Sequence, residues 1–477
     1  MKKVCALFLI AFAIIFTGCS NKRNNDTAHT DYEALSAGVM SPAVSPPPFI
    51  EDAPPHIPLS ECFEPSIPLD AALYYINKMN TILDEDDGAM WGMNLRGPFM
   101  FVDPLTLHIV ANQPDAQGIL VRRGDLYVGI FPEGQNISAS VEEFGGTLWA
   151  FMLWTDVHRY GDWAVGVMVH KSRHVWDDAI FGPSENKGVP AADDENENDA
   201  LKLIWLEMEI LLYALTAQDE ETRRQAIRDA ASVRNERRYR GQHNQSDVEI
   251  ELIEGTARYT EIVLANPDPA VRFAVLEARV AQTGNRGLAT YTIGALMCVL
   301  LDELGTDWRS GLRFPRFDLG RLLLDAAGIT TVAPFAELCF EKYGYNEIVT
   351  RITQREENRA AIAEFALYAF ANYPTLSMPC MGAMHDDNIN PEFLRIPDLG
   401  FIIYGDVNIL NLSGRLTVSN VPIRREGNRL FQLTYAIPIT NIRFDGNRAF
   451  GDNWEFVPNP GFFIEEMPNG NFRVRRS

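Results

Sequence analysis

The segment His170-Lys171-Ser172-Arg173-His174, followed by Glu254-Gly255-Thr256-Ala257-Arg258-Tyr259, decides how the rest of this chain is read. Two histidines at i and i+4 lie on one face of a helix and can share one metal ion. A glutamate from a second helix can supply a third ligand and leave a fourth position open to water. Around the first element, Val165, Val169 and Trp176 supply apolar positions. They predict a helix capped near Asp162, running to about Ile180 and stopped by Phe181-Gly182-Pro183.

Helical spacing continues on the C-terminal side, over about 200–217, 220–240, 247–265, 269–282, 288–304, 317–327, 332–343 and 346–372. On the N-terminal side, Leu69 to Leu83 reads as a helix. Short runs at 98–103, 106–111, 118–122 and 126–131 then read as strands separated by turn residues, and 148–154 as another strand or the start of a buried helix. The aromatic run Trp149 to Trp154 reads as core. After Pro374 the chain shifts to short β-branched and aromatic runs broken by Gly, Asn, Asp and Pro. The expected class is α+β: a sheet-containing part over 66–161, a helical core over 162–373 carrying the site, and a β-rich unit over 374–477.

The first 65 residues read as targeting and tether. Lys2 and Lys3 precede the apolar stretch Val4 to Phe16, which is too short for a comfortable membrane span. Thr17-Gly18-Cys19 then has the form of a lipobox, so 1–18 is expected to be a lipoprotein signal and Cys19 the lipidation site. Lipid on Cys19 would hold the protein on a cell membrane, outside the cytoplasm. Residues 19–65, with Ser45-Pro46-Pro47-Pro48 and Pro54-Pro55, read as an extended tether.

Composition narrows the function classes. The formal net charge is -22, and it becomes -24 once Lys2 and Lys3 are removed. An acidic surface argues against nucleic acid and against broad contact with anionic lipid; the expected partners are membrane lipid through Cys19 and a peptide or protein ligand. Six cysteines include no CxxC pair, which leaves a cysteine metal site unsupported. Cys298 and Cys339 sit in apolar helical sequence and read as buried thiols; Cys62 and Cys380 are the others left after cleavage at Cys19. The acidic run Asp193 to Asp199 lacks the Gly and closing Glu of an EF-hand loop and reads as a solvated loop. His385-Asp386-Asp387 reads the same way.

Taken as an ordered set, the motifs resemble those of an uncharacterised bacterial family related to the gluzincin metallopeptidases, whose members carry HExxH followed by an EGxAxY helix. The likeness extends to Asp87-Gly88-x-x-Trp91-Gly92, Phe101-Val102-Asp103-Pro104, Arg234 to Arg238, and Tyr291-Thr292-x-Gly294-Ala295-Leu296 through Trp308. It covers residues 67–477. The resemblance implies a zincin-like fold with zinc on His170, His174 and Glu254. It departs from the family at Lys171, which stands where HExxH has the glutamate that accepts a proton from metal-bound water. It also departs at Arg173, where a bulky apolar residue is usual, and at Asp177, where Gln is common. A lysine ammonium has no lone pair with which to accept a proton. The first expectation is therefore a metallopeptidase-like protein that binds a divalent metal or a peptide without efficient hydrolysis. The alternatives are an active zinc hydrolase with a non-standard base, Lys171 or a carboxylate from elsewhere, and a metal-free surface binding or scaffold lipoprotein. Asp177 is a possible further ligand or a partner for the neighbouring cations. Arg258 is a possible ion-pair partner of Glu254, and Tyr259 a possible neighbour of the site or a core residue.

Overall fold

Phe99-Met100-Phe101-Val102 forms the central strand β1 of a sheet buried on both faces. Side chains alternate across a strand. Phe99 and Phe101 accordingly join the helical core, while Met100 and Val102 join a second apolar cluster behind the sheet. The other strands are β2 (His108–Ala111), β3 (Val121–Arg123), β4 (Leu126–Ile130), β5 (Val141–Phe144) and β6 (Thr147–Leu153). Their order is β3-β4-β2-β1-β6-β5, with β1 and β6 parallel and the remaining neighbours antiparallel. In β6, Ala150 and Met152 face the helices, while Trp149, Phe151 and Leu153 face the other cluster. The computed structural model describes residues 65–477 except 105, 133–140, 183–196, 284–285, 311, 313–316, 335, 380–384, 387–391, 412 and 427–433. The stretch expected to be a signal, Cys19, most of the expected tether, Cys62, Cys380 and the acidic run up to Asn196 lie outside the described residues.

The helix α1 (Leu69–Asp86) precedes the sheet, and α2 (Trp154–Tyr160) and α3 (Ala164–Val175) follow β6 directly. The helix expected from Asp162 starts slightly later, because Gly161–Trp163 forms a 3₁₀ turn that places Trp163 at the N-cap. It also ends sooner. Trp176 leaves helical geometry, and α4 (Asp177–Phe181) is a separate short turn, stopped at Gly182 with φ +86°. The bundle continues with α5 (Glu197–Thr216), α6 (Glu220–Tyr239) and α7 (Gln245–Ile250). A π-helical turn at Glu251–Gly255 leads into α8 (Thr256–Ala265), so the single helix expected over 247–265 is three joined segments. Then come α9 (Pro269–Gln282), α10 (Arg286–Glu303), α11 (Leu319–Ala326), α12 (Glu337–Phe340) and α13 (Tyr345–Asn372). The helix expected over 332–343 is reduced to the four residues of α12.

α10 lies at the centre of the bundle and is buried around most of its circumference, as a helix apolar on all sides must be. One apolar core runs from Ile67 to Ile352 and joins the sheet to the bundle. α13 belongs to two cores. Ile348 and Ile352 pack into the bundle, while Ala366 packs with Leu394, Ile396 and Ile402 of the C-terminal unit. That unit, from Thr375 to Arg476, is built from a seven-stranded and a six-stranded sheet around their own core, including Ile403, Ile409, Leu416, Tyr435 and Phe456. His385-Asp386, expected in a loop, instead forms a short strand paired with Ile409 and Leu410. The described residues thus form a mixed α/β structure with three sheets. Among the described residues, no helix is long and apolar enough to cross a membrane.

Candidate metal centre

α3 and α8 pack side by side, and the π-turn between α7 and α8 brings Glu254 over the histidine face of α3. All three side chains are buried: His170 is 5% exposed, His174 6% and Glu254 2%. Their donor atoms form a small triangle. His170 Nε2 and His174 Nε2 are 3.3 Å apart. Glu254 Oε2 lies 3.3 Å from His174 Nε2 and 3.5 Å from His170 Nε2.

The outer nitrogen of each imidazole faces another carboxylate. Glu261 Oε2 is 3.3 Å from His170 Nδ1, and Asp177 Oδ2 is 3.2 Å from His174 Nδ1. A carboxylate only accepts hydrogen bonds, so Asp177 assigns the His174 proton to Nδ1 and a lone pair to Nε2. At His170 the approach of Glu261 falls short of hydrogen-bond geometry, and its negative charge favours the same tautomer. Two nitrogen lone pairs and a carboxylate oxygen therefore converge in a buried place. Glu254 Oε2 meets no hydrogen-bonding donor in good geometry, although it is fully shielded from solvent. Without a cation between them, such groups repel one another.

These residues fit a divalent metal of the zinc type. Tetrahedral zinc with bonds of about 2.0–2.1 Å spaces its N and O donors about 3.3–3.4 Å apart, close to the triangle formed here. Carboxylates behind ligating histidines are the usual means of fixing their tautomer and ring orientation. Burial by itself raises the Glu254 carboxyl. Without a metal, protonated imidazoles of His174 and His170 would outweigh it and hold the group well below the usual carboxylate range; a bound cation would take over that role with both imidazoles neutral. Burial likewise opposes ionisation of Glu261. The guanidiniums of Arg258 and Arg279, with His170, overcome it and keep the group ionised.

The flanking residues are also placed. Asp177 sits behind His174 and at the same time pairs with Arg173. Arg173 is fully buried and points inward. Its Nη1 donates to the Ile253 carbonyl at 3.3 Å, and its Nη2 donates to Thr256 Oγ1 at 2.6 Å. It therefore braces the π-turn, with Asp177 taking up its charge. Arg258 Nη1 bonds Glu261 at 3.0–3.1 Å, so it stands behind the carboxylate that holds His170. Tyr259 turns away from the histidines. Its hydroxyl donates to Asp302, accepts from Arg309, and its ring packs edge-on to Trp91 and Trp308. Lys171 is 6% exposed, and among the described residues no carboxylate lies within ion-pair reach of its ammonium.

Glu261 was not picked out from the sequence. Its signal is the spacing to Glu254: seven residues, two helical turns, place both acids on one face. Glu207, Arg234, Arg237 and Glu251 form a second buried group that sequence reasoning missed. Arg234 Nε donates to Glu207 at 2.8 Å, and its two terminal nitrogens bond Glu251 at 2.7 and 2.9 Å. Arg237 donates to the other oxygen of Glu207. Burial favours the neutral acid at Glu251, but the Arg234 charge prevails and holds it ionised.

No protein-family model, curated protein or solved structure matches this chain at a significant level. The geometry of the site therefore carries the functional reading.

Proposed function

We propose that this protein is a zincin-like, metallopeptidase-related lipoprotein whose centre holds a divalent metal, zinc by its donor set, without working as an efficient hydrolase. The observation that carries this reading is the convergence of two imidazole lone pairs and one carboxylate oxygen within 3.5 Å, in a place shielded from water. His170, His174 and Glu254 would hold the ion, and Glu261 and Asp177 would orient the imidazoles. A metal of this type supplies Lewis acidity and lowers the pKa of a bound water. The chain's own residues do not complete hydrolytic chemistry. Lys171 stands where HExxH carries its proton-accepting glutamate, and the carboxylates beside the histidines, Glu261 and Asp177, are already engaged by His170, His174, Arg173 and Arg258. Three protein ligands leave the fourth position of a tetrahedral site to water, as in catalytic zinc sites, so the reading against hydrolysis rests on the missing base. We place the protein on a membrane surface through lipid on Cys19, because Thr17-Gly18-Cys19 closes the apolar N-terminal stretch.

The test is metal content. Purified protein exposed to zinc and desalted should retain about one zinc per chain. A His170→Ala/His174→Ala double variant should retain none. Wild-type protein free of zinc under these conditions would refute the metal reading and leave a metal-free binding or scaffold lipoprotein. Hydrolysis of a peptide library, abolished by a chelator, would refute the non-hydrolytic half of the reading.

A further inference from the structure

Glu251 and Glu254 belong to the same five-residue π-turn but serve different buried groups. Glu254 faces the histidines of α3. Glu251, fully buried, is gripped by both terminal nitrogens of Arg234 on α6, and His243 Nε2 lies 3.4 Å from its Oε1. Arg234 is in turn tied to Glu207 on α5, which also receives Arg237. The turn is thus bolted to two helices, α5 and α6, that carry none of the metal ligands.

Other contacts fix the same turn. Arg173 takes the carbonyl of Ile253, and Gly255 lies directly against Gly294 of α10. A π-turn inserts one residue into the helical phase. Rewinding it as α-helix would rotate one flank against the other by up to about 100°. Glu251 could not then keep Arg234 while Glu254 kept the histidines. The wide turn is the solution in which both carboxylates meet their partners.

We infer that Arg234 and Glu251 are positioning residues for the metal centre: their salt bridge holds the π-turn in the phase that aims Glu254 at His170 and His174. This inference rests on the reading of those three residues as a metal centre. It makes metal affinity depend on an ion pair that touches no ligand atom. By linkage, the metal should in turn steady the ion pair.

The experiment is a zinc titration against a competing chelator on the full chain, with circular dichroism to verify the fold. It compares wild type, Glu251→Gln, Arg234→Lys and Glu207→Gln. Glu207→Gln disturbs the same ionic group but leaves the Arg234–Glu251 contact in place. Glu251→Gln and Arg234→Lys should weaken zinc about 10- to 100-fold, the range found for residues that orient metal ligands, and Glu207→Gln much less. Cobalt in place of zinc adds a coordination readout. The visible band of a tetrahedral site should lose intensity in Glu251→Gln, which mere loss of stability would not cause. Folded Glu251→Gln and Arg234→Lys proteins that bind zinc like wild type would overturn the inference, as would Glu207→Gln weakening it equally. If the variants fail to fold, amide exchange on the wild type decides. Zinc should slow exchange over 234–238 and 251–255 as well as 170–174. Protection confined to 170–174 and 254–258 overturns the inference. Wild-type protein that binds no zinc would overturn the metal reading itself and this inference with it, an outcome distinct from variants that bind normally.

Discussion

Gly294→Ala tests how tightly the π-turn is held, independently of any metal. A Cβ at Gly294 would lie 2.4 Å from the Glu251 carbonyl oxygen and 2.7 Å from Gly255 Cα. Both atoms are backbone, so no side chain can swing aside. Reaching ordinary contact requires α10 and the π-turn to separate by about 1 Å in a close-packed interior. Overpacking of this kind costs about 1–3 kcal/mol, and a backbone collision belongs at the upper end. Alanine returns about 1 kcal/mol through its better helix propensity. The net loss should be about 2 kcal/mol, or a fall in Tm of about 4 °C or more for a core of this size. Gly166→Ala on α3 is the matched comparison. Its Cβ would meet Ala265 Cβ and Glu261 Cγ at 3.4 Å, the edge of ordinary contact. It should be neutral or stabilised by up to about 1 kcal/mol. Urea and thermal unfolding of the two variants provide the assay. If Gly294→Ala is as stable as wild type, or the two variants fall equally, the close approach of α10 to the π-turn does not constrain the fold as argued.

Three further outcomes are expected. Lys171→Glu should tighten zinc binding and raise chelator-sensitive peptidase activity. A variant that folds, binds zinc and stays inert would show that Lys171 is not the only missing part. Glu251 and Glu261 are held below the usual carboxylate range when folded. Their contribution to stability is therefore present above the unfolded value of about 4.3 and lost as pH falls below it toward the folded values. A urea midpoint unchanged from neutral pH to about pH 3 would contradict this. Burial raises the Cys298 thiol well above its ordinary value and pushes Cys339 up to about 11. Both should escape alkylation at neutral pH in the native protein and react once it is unfolded, as read by peptide mass mapping. Labelling of either in the native state would place it at an accessible surface instead.

The helices were legible wherever one face carried the apolar residues, as in α1 and α9, and the strands wherever a short apolar or aromatic run lay between turn residues, as in β1 and β6, which are buried on both faces. β5 was missed because Val141-Glu142-Glu143-Phe144 is short and carries charge on a sheet edge, where one flank needs no apolar cover. The three donor residues were legible because metal chemistry restricts both residue type and spacing. The groups around them were not. Glu207 lies in the apolar run Trp205-Leu206-Glu207-Met208, and Arg234 lies in a strongly charged helix, so neither local pattern marks a buried ion pair. At Arg173 the sequence marked only a cation where the resembling family has a bulky apolar residue. Only the tertiary arrangement, which puts Asp177, Ile253 and Thr256 around it, explains how a guanidinium is kept fully out of water there. The π-turn has no periodic signature at all, since it departs from helical phase for one turn only.

α13 has a mechanical consequence. Its 28 residues span about 42 Å, with one end set among bundle side chains and the other laid against the C-terminal sheets. Arg351 lies 4.2 Å above the Trp205 ring near the first end, and Arg424 lies 4.8 Å above Phe370 near the second. A rod gripped at both ends transmits torque. A load that twists the β-rich unit would be borne by α5 and the bundle rather than dissipated at a hinge between them. In single-molecule stretching, the two parts should yield as one coupled event, unless α13 itself is first broken in the middle.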